Sequence, residues 1–138
     1  MRILVVTPEP ISADQLREAL PGDIDPQDAE VTVVAPALHE SAVRFWMSDA
    51  DDAIGRAEAV RRESLERLGD EGVSASADTG EGGSAAAIED ALKSFPADRI
   101  VVFTHPEGER RYREDLDEDE VERRFKIPVT RTEIAPRA

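Results

Sequence analysis

An apolar stretch near the amino terminus, Ile3-Leu4-Val5-Val6, is typical of a strand that helices cover on both faces. Two later stretches have the same character, Val31-Thr32-Val33-Val34 and Ile100-Val101-Val102-Phe103. Segments with helical spacing lie between them, and one opens with the capping-box sequence Ser12-Ala13-Asp14-Gln15. This alternation predicts an α/β fold with right-handed crossovers, a parallel sheet and helices on both of its faces.

Two weaker strands complete the pattern. Residues 72–78 are mostly small, which suits a short edge strand, and residues 127–134 form the last strand with Pro128 near its start. Between the second and third strands a helix is predicted from one apolar stripe, made of Ala53, Ile54, Ala57, Val60, Leu65 and Leu68. The length of 138 residues fits a single domain, which we expect to span residues 1–138.

The composition excludes several classes of function. The chain has 31 Asp and Glu against 17 Lys and Arg, a net charge of −14, and no cysteine. The lack of cysteine rules out disulfides and thiolate metal sites. The acidic excess argues against binding to nucleic acid or to an anionic membrane, and no apolar stretch approaches the roughly 20 residues of a membrane helix. We therefore expect a cytoplasmic protein with neither kind of partner.

The order and spacing of these motifs resemble the universal stress protein family over nearly the whole chain. Beside the first two strands, the resemblance is carried by Gly82 six residues before Ile88, by Ala97-Asp98-Arg99 and by Ile127-Pro128-Val129. It implies a doubly wound, Rossmann-like sheet of five strands in the order 3-2-1-4-5, similar to the adenine nucleotide alpha hydrolases. It also implies a homodimer formed through the last strand, whose residues are Pro128, Val129, Thr130, Arg131, Thr132, Glu133 and Ile134.

The chain departs from the nucleotide-binding members of that family at each position of their ATP motif. Those members have an Asp after the first strand, and then a glycine pair and a Gly-Ser or Gly-Thr after the fourth, which expose backbone amides to phosphate. The Asp position falls here on Thr7-Pro8, and the glycine pair falls on Phe103 and Pro106. The Gly-Ser position falls within residues 114–120, where six of seven side chains are carboxylates that would repel a triphosphate. We therefore expect no ATP binding in the family's usual manner, and no cofactor.

Candidate binding residues follow the first, second and fourth strands, because open α/β sheets bind ligands beyond the carboxyl ends of their strands. Gly108 could be a displaced remnant of the phosphate loop. Arg110 and Arg111 could hold a phosphate or carboxylate, or pair with the acidic run on a solvated helix. The candidate ligand-binding residues are Thr7, Pro8, Glu9, Val34, Thr104, His105, Gly108, Arg110 and Arg111.

Two further groups have alternative interpretations. Glu9, His39 and His105 could approach a divalent metal from three loops, since their side chains suit zinc or a harder ion, or they could be solvated. Phe45-Trp46-Met47 predicts a lid over a pocket or a patch for a partner, or a loop held to the surface by its own apolar side chains. The acidic run at residues 114–120 is most simply the start of a helix.

Three functions follow from these observations. The leading hypothesis is a non-catalytic module similar to universal stress proteins, regulatory or binding a protein or small ligand. The second is a nucleotide-binding protein with a phosphate site rebuilt around Arg110 and Arg111. The third is a metal-dependent enzyme that uses Glu9, His39 and His105. No serine lies in a glycine elbow, so we predict no catalytic residues.

Overall fold

Five parallel strands form one sheet in the computed structural model of the protein, which describes residues 1–20, 22, 24–36, 38, 46, 50–80, 84–106 and 116–134. The strands are β1 (Arg2–Val6), β2 (Glu30–Pro36), β3 (Ser74–Gly80), β4 (Arg99–Thr104) and β5 (Val129–Glu133). Their order is β3-β2-β1-β4-β5, and every neighbouring pair is parallel. The predicted α/β fold and strand order are therefore confirmed.

Helices cover both faces of the sheet, as predicted. They are α1 (Ala13–Ala19), α2 (Ala50–Asp70), α3 (Ser84–Ser94) and α4 (Glu118–Phe125), with a short 3-10 helix at Pro26–Asp28. Side chains of α1 and α2 pack with Ile3 and Val5 on one face. Side chains of α3 and α4 pack with Leu4 and Val6 on the other. Since successive β1 residues point to opposite faces, one short strand contributes to both cores.

The predicted helix starts at Ser12 and in the acidic run are confirmed. The Gln15 N–H donates to Ser12 Oγ (3.3 Å), and the Ser12 N–H donates to Gln15 Oε1 (2.9 Å), which completes the capping box. In the acidic run, Asp117 Oδ1 accepts the N–H of Glu120 (3.2 Å) as the N-cap of α4. The three residues of its first turn are Glu118, Asp119 and Glu120, placed where the helix dipole favours carboxylates.

The buried face of α2 differs from the predicted stripe. Ala53, Ala57, Val60 and Leu68 are buried as expected. The prediction that Ile54 belongs to the buried stripe is wrong, since this residue is 48% exposed. Leu65 is only half-buried. Ser64 lies in the core instead, with no exposed surface. The reason is helix geometry. Positions 53, 57, 60, 64 and 68 are three or four residues apart, so they lie on one face of the helix. Positions 54 and 65 each follow one of these by one residue, and their side chains are therefore rotated by about 100° away from that face.

The strand order reverses between β1 and β4. From β1 the chain moves outward through β2 to β3 at one edge, and then returns to β4 and ends at β5 on the other edge. Loops after β1 and β4 therefore leave the sheet on opposite sides, and the gap between them is the point where such sheets bind ligands. No helix in the described part of the chain is long and apolar enough to cross a membrane.

Candidate functional site

A hydrogen-bonded pair joins the loops that follow β1 and β4. Glu9 Oε1 lies 2.9 Å from His105 Nε2, and the two side chains are only 23% and 13% exposed. We call Glu9 and His105 the switch-point pair. Hydrogen bonds that involve a charged partner are stronger than neutral ones, and partial burial limits their screening by water. The structure thus brings together two residues that the sequence placed at this edge.

Thr7 fixes the backbone that carries the first member of this pair. Its side chain is fully buried, and its Oγ1 donates to the carbonyl of Glu9 (2.6 Å) and accepts the Glu9 N–H (3.3 Å). Such local hydroxyl bonds hold a turn in one conformation. Thr7 was predicted as a ligand-binding residue, and in the structure both of these bonds serve the loop itself.

No backbone N–H group in residues 7–12 is left without an acceptor in the chain. Pro8 and Pro10 have none. The others donate from Thr7 to the Val34 carbonyl (3.1 Å), from Glu9 to Thr7 Oγ1 (3.3 Å), from Ile11 to Ser64 Oγ (3.2 Å), and from Ser12 to Gln15 Oε1 (2.9 Å). Phosphate sites on α/β folds depend on backbone N–H groups that point at the ligand. This loop offers a phosphate no such donor.

Ser64 is a site residue that the sequence reasoning missed. It belongs to α2, yet its hydroxyl fixes the loop after β1 through the Ile11 N–H. The available signal was its position: Ser64 follows Val60 by four residues and precedes Leu68 by four, inside an apolar line. A hydroxyl in such a line is buried and needs a partner, which is how it could have been found.

Two other predicted residues lie beneath the surface. The side chain of Val34 is buried in the core that contains α3 and α4, so only its carbonyl takes part, as the acceptor for Thr7. Thr104 is fully buried at the end of β4. Its carbonyl accepts the N–H of Ile134 (2.8 Å), and its Oγ1 has no hydrogen-bond partner among the described residues. Thr104 therefore supports the edge of the sheet from inside.

A cavity of about 210 Å³ opens beside the switch-point pair, which we call the α2 cavity. One wall is the loop after β1 and the other is one face of α2. Its lining residues are Pro8, Glu9, Pro10, Arg56, Ala59, Val60 and Glu63. Arg56 is half-buried, and its Nη2 donates to the carbonyl of Leu38 (3.1 Å), which ties α2 to the chain just after β2. The sequence predicted Pro8 and Glu9 here but not the contribution of α2.

Several predicted residues lie outside the described part of the chain. They are His39, Phe45, Met47, Gly108, Arg110 and Arg111. Trp46 is described, and it is 81% exposed. Among the residues that can be placed, no group of three or more His, Cys, Asp or Glu could hold a metal ion. A metal held by the switch-point pair together with His39 remains a prediction.

Neither the models of known protein families nor the curated proteins give a match to this chain. The fold and the site define its class on their own. It is an α/β protein with a five-stranded parallel sheet and a carboxylate–imidazole pair at the point where the strand order reverses.

Proposed function

We propose that the protein is a cytoplasmic, non-catalytic module of the universal stress protein type, with a regulatory role. It binds a small ligand at the switch point or a protein partner, and it does not hold ATP in that family's usual manner. The strand order 3-2-1-4-5 supports the family type. The observation that carries the exclusion of ATP is the engagement of every backbone N–H in residues 7–12.

The phosphates of ATP would find few hydrogen-bond donors at this edge of the sheet. A phosphate chain brought to this edge loses water and needs donors in return, and an uncompensated charge is costly to bury. The loop after β1 supplies none, and Pro106 after β4 has no N–H either. The Glu9 carboxylate adds repulsion at short range. A neutral or cationic group does not need those donors and is not repelled by the Glu9 carboxylate. The site therefore favours ligands without phosphate.

We expect ATP with magnesium to leave the melting temperature unchanged at millimolar concentration. A ligand present at one hundred times its Kd would stabilise the fold by about 2.7 kcal/mol, which is several degrees for a chain of this size. The measurement is a thermal melt monitored by circular dichroism or dye fluorescence. The Glu9→Gln variant removes the charge and leaves the N–H groups engaged, so it should also show no shift.

Two results would contradict this proposal. A shift of several degrees in the wild type means that the chain binds ATP, and the combined Arg110→Glu and Arg111→Glu variant then tests the rebuilt phosphate site. A shift in Glu9→Gln alone means that charge, and not the lack of donors, excludes the nucleotide.

The proposal includes a homodimer through β5. This strand is at the edge of the sheet, and β4 is its one neighbour in the sheet. Just outside its two ends, the carbonyl of Pro128 accepts the N–H of Ile100 (2.9 Å), and the N–H of Ile134 donates to the carbonyl of Thr104 (2.8 Å). In a parallel ladder, alternate residues form their bonds with the same neighbouring strand. The N–H of Arg131 therefore points away from β4, to the open edge of the sheet. Pairing across a two-fold axis would cover this edge.

We expect Arg131→Pro to shift the dimer to monomer, because proline removes that outward N–H. Arg131→Ala is the matched control: it also loses the ion pair with Glu118 (3.0 Å) but keeps the N–H, and it should remain dimeric. Sedimentation equilibrium at micromolar concentration measures the mass. A monomeric wild type, or an Arg131→Pro protein that dimerises as strongly as the wild type, would refute this interface.

A further inference from the structure

We infer that β5 pairs with a second copy of this chain in one antiparallel register, with the two-fold axis at Thr132. In this register Arg131 lies opposite the partner's Glu133, and Glu133 lies opposite the partner's Arg131. The inference rests on the homodimer of the proposed function and names the residues that determine how the two copies pair. It is carried by the backbone directions in β5 and by the order of charges along its open edge.

The backbone groups of β5 point in two directions. The carbonyl of Pro128 and the N–H of Ile134 bond to β4, so even-numbered residues of this strand direct their backbone groups toward β4. Val129, Arg131 and Glu133 therefore direct theirs to the open edge. In an antiparallel pair of such edges, odd-numbered residues exchange hydrogen bonds with odd-numbered residues of the partner.

The side chains of β5 alternate between the two faces of the sheet. Arg131 Nε lies 3.0 Å from Glu118 Oε1 on α4, so odd-numbered residues face α4. Ile134 packs against the core on the α1 face, so Thr130 and Thr132 lie on that side. A two-fold axis perpendicular to the sheet keeps each face of one copy level with the same face of the other. Charged side chains of one copy therefore meet charged side chains of its partner.

The charges distinguish the possible registers. Because odd-numbered residues must pair with odd-numbered residues, the axis passes at a residue, and a pairing that covers most of β5 places it at Thr130, Arg131 or Thr132. An axis at Arg131 sets two guanidinium side chains directly opposite each other, which is destabilising. An axis at Thr130 sets Arg131 opposite Val129. Only an axis at Thr132 sets Arg131 opposite the partner's Glu133, and symmetry repeats this favourable pair.

Arg131 can contact the partner's Glu133 and keep its contact with Glu118. Nε is the atom that lies near Glu118, and a guanidinium has five N–H donors in all. The Arg131 side chain is 33% exposed, and a second copy at this edge would reduce the screening of its charge by water. The facing charges select the register by their sign and separation, whatever else Glu133 contacts within its own chain.

Single cysteines report the register directly, because the natural chain contains none. With the axis at Thr132, the two copies of residue 132 form a non-hydrogen-bonded pair, whose Cα atoms are about 4.5 Å apart and within reach of a disulfide. The two copies of residue 130 are then offset along the strands by roughly 13 Å, which is too far. We expect Thr132→Cys to form a covalent dimer under mild oxidation, measured by intact mass without reductant. Thr130→Cys is the matched control, a half-buried threonine on the same face, and should stay uncrosslinked.

Other patterns of cross-linking would overturn the inference. A covalent dimer of Thr130→Cys alone would place the axis at Thr130, and equal cross-linking of both variants would mean that the register is not fixed. A dimeric protein in which neither variant cross-links would place the axis elsewhere. Sedimentation of the wild type separates the two proposals, because a monomer contradicts the proposed homodimer, whereas a dimer with the wrong cross-links contradicts only this inference.

Glu133→Arg tests the charges that select the register. It sets Arg131 opposite a second guanidinium on both sides of the axis, so we expect the dimer Kd to rise roughly tenfold. Cross-linking of Thr132→Cys should also slow in that background. Glu133→Gln is the matched control, since it removes the attraction without adding repulsion, and its Kd should rise less. An unchanged Kd in Glu133→Arg would mean that these charges do not select the register.

Discussion

Leu68→Ala should lower the free energy of unfolding by about 2–5 kcal/mol. Leu68 has no exposed surface and packs in the core formed by α1, α2 and the sheet, together with Leu16 and Val73. Truncation removes buried methyl groups and leaves a cavity that the surrounding strands cannot fill completely. Its carbonyl also accepts the N–H of Val73 (2.9 Å) where the chain turns into β3, so the loss occurs where helix and strand meet.

Leu65→Ala is the matched control for this prediction. It makes the same substitution three residues earlier on the same helix, at a half-buried position, and helix propensity changes equally in both variants. We expect a loss well below that of Leu68→Ala. Urea denaturation gives both values, with the midpoint falling and the slope unchanged. Equal losses would mean that the rotation of α2 about its axis differs from the one described.

The architecture, and the placement of Glu9 and His105 at one edge of the sheet, could be predicted from the sequence. The apolar runs at Ile3–Val6 and Ile100–Phe103 require burial on both faces, and that requirement leaves few alternatives to a parallel sheet. Once β1 and β4 are neighbours, the residues just after them share one edge. For this reason Glu9 and His105 could be placed in the same region without knowledge of their contact.

The contribution of α2 was not open to prediction in the same way. Which residues of a helix face the sheet depends on the rotation of the helix about its axis. The predicted stripe of α2 included Leu65 and Ile54, whereas the structure buries Ser64 and leaves Ile54 exposed. The bonds that close the loop after β1 also join residues far apart in the chain, such as Ile11 and Ser64. Local patterns do not encode such pairs, because they arise only when tertiary packing brings the two segments together.

The proposed absence of ATP binding is supported by one observation from the sequence and one from the structure. The sequence showed missing glycines and an acidic run after β4, which are arguments about what the second phosphate loop lacks. The structure adds that the loop after β1 has used its own donors. A chain can lose a phosphate site through either change. The same loop also forms one wall of the α2 cavity.

Ser64→Ala tests the bond that holds this loop to α2. Ile11 has no exposed surface, so the variant leaves its N–H buried without an acceptor, at a cost of about 1–3 kcal/mol. Alanine is the better helix former by a few tenths of a kcal/mol, which offsets a small part of that loss. The net result should be a clear fall in the free energy of unfolding, measured by urea denaturation.

Ser94→Ala controls for the change of residue type, because Ser94 is an exposed serine at the end of α3 and its replacement should change stability by about 0.5 kcal/mol or less. Amide hydrogen exchange supplies a local measurement: the Ile11 N–H should exchange faster in Ser64→Ala and at the wild-type rate in Ser94→Ala. If stability and the exchange of Ile11 both stay at wild-type values in Ser64→Ala, then Ser64 does not hold the loop. The Ile11 N–H would then lack a fixed acceptor in the loop after β1, whereas the N–H groups of Thr7, Glu9 and Ser12 would keep theirs.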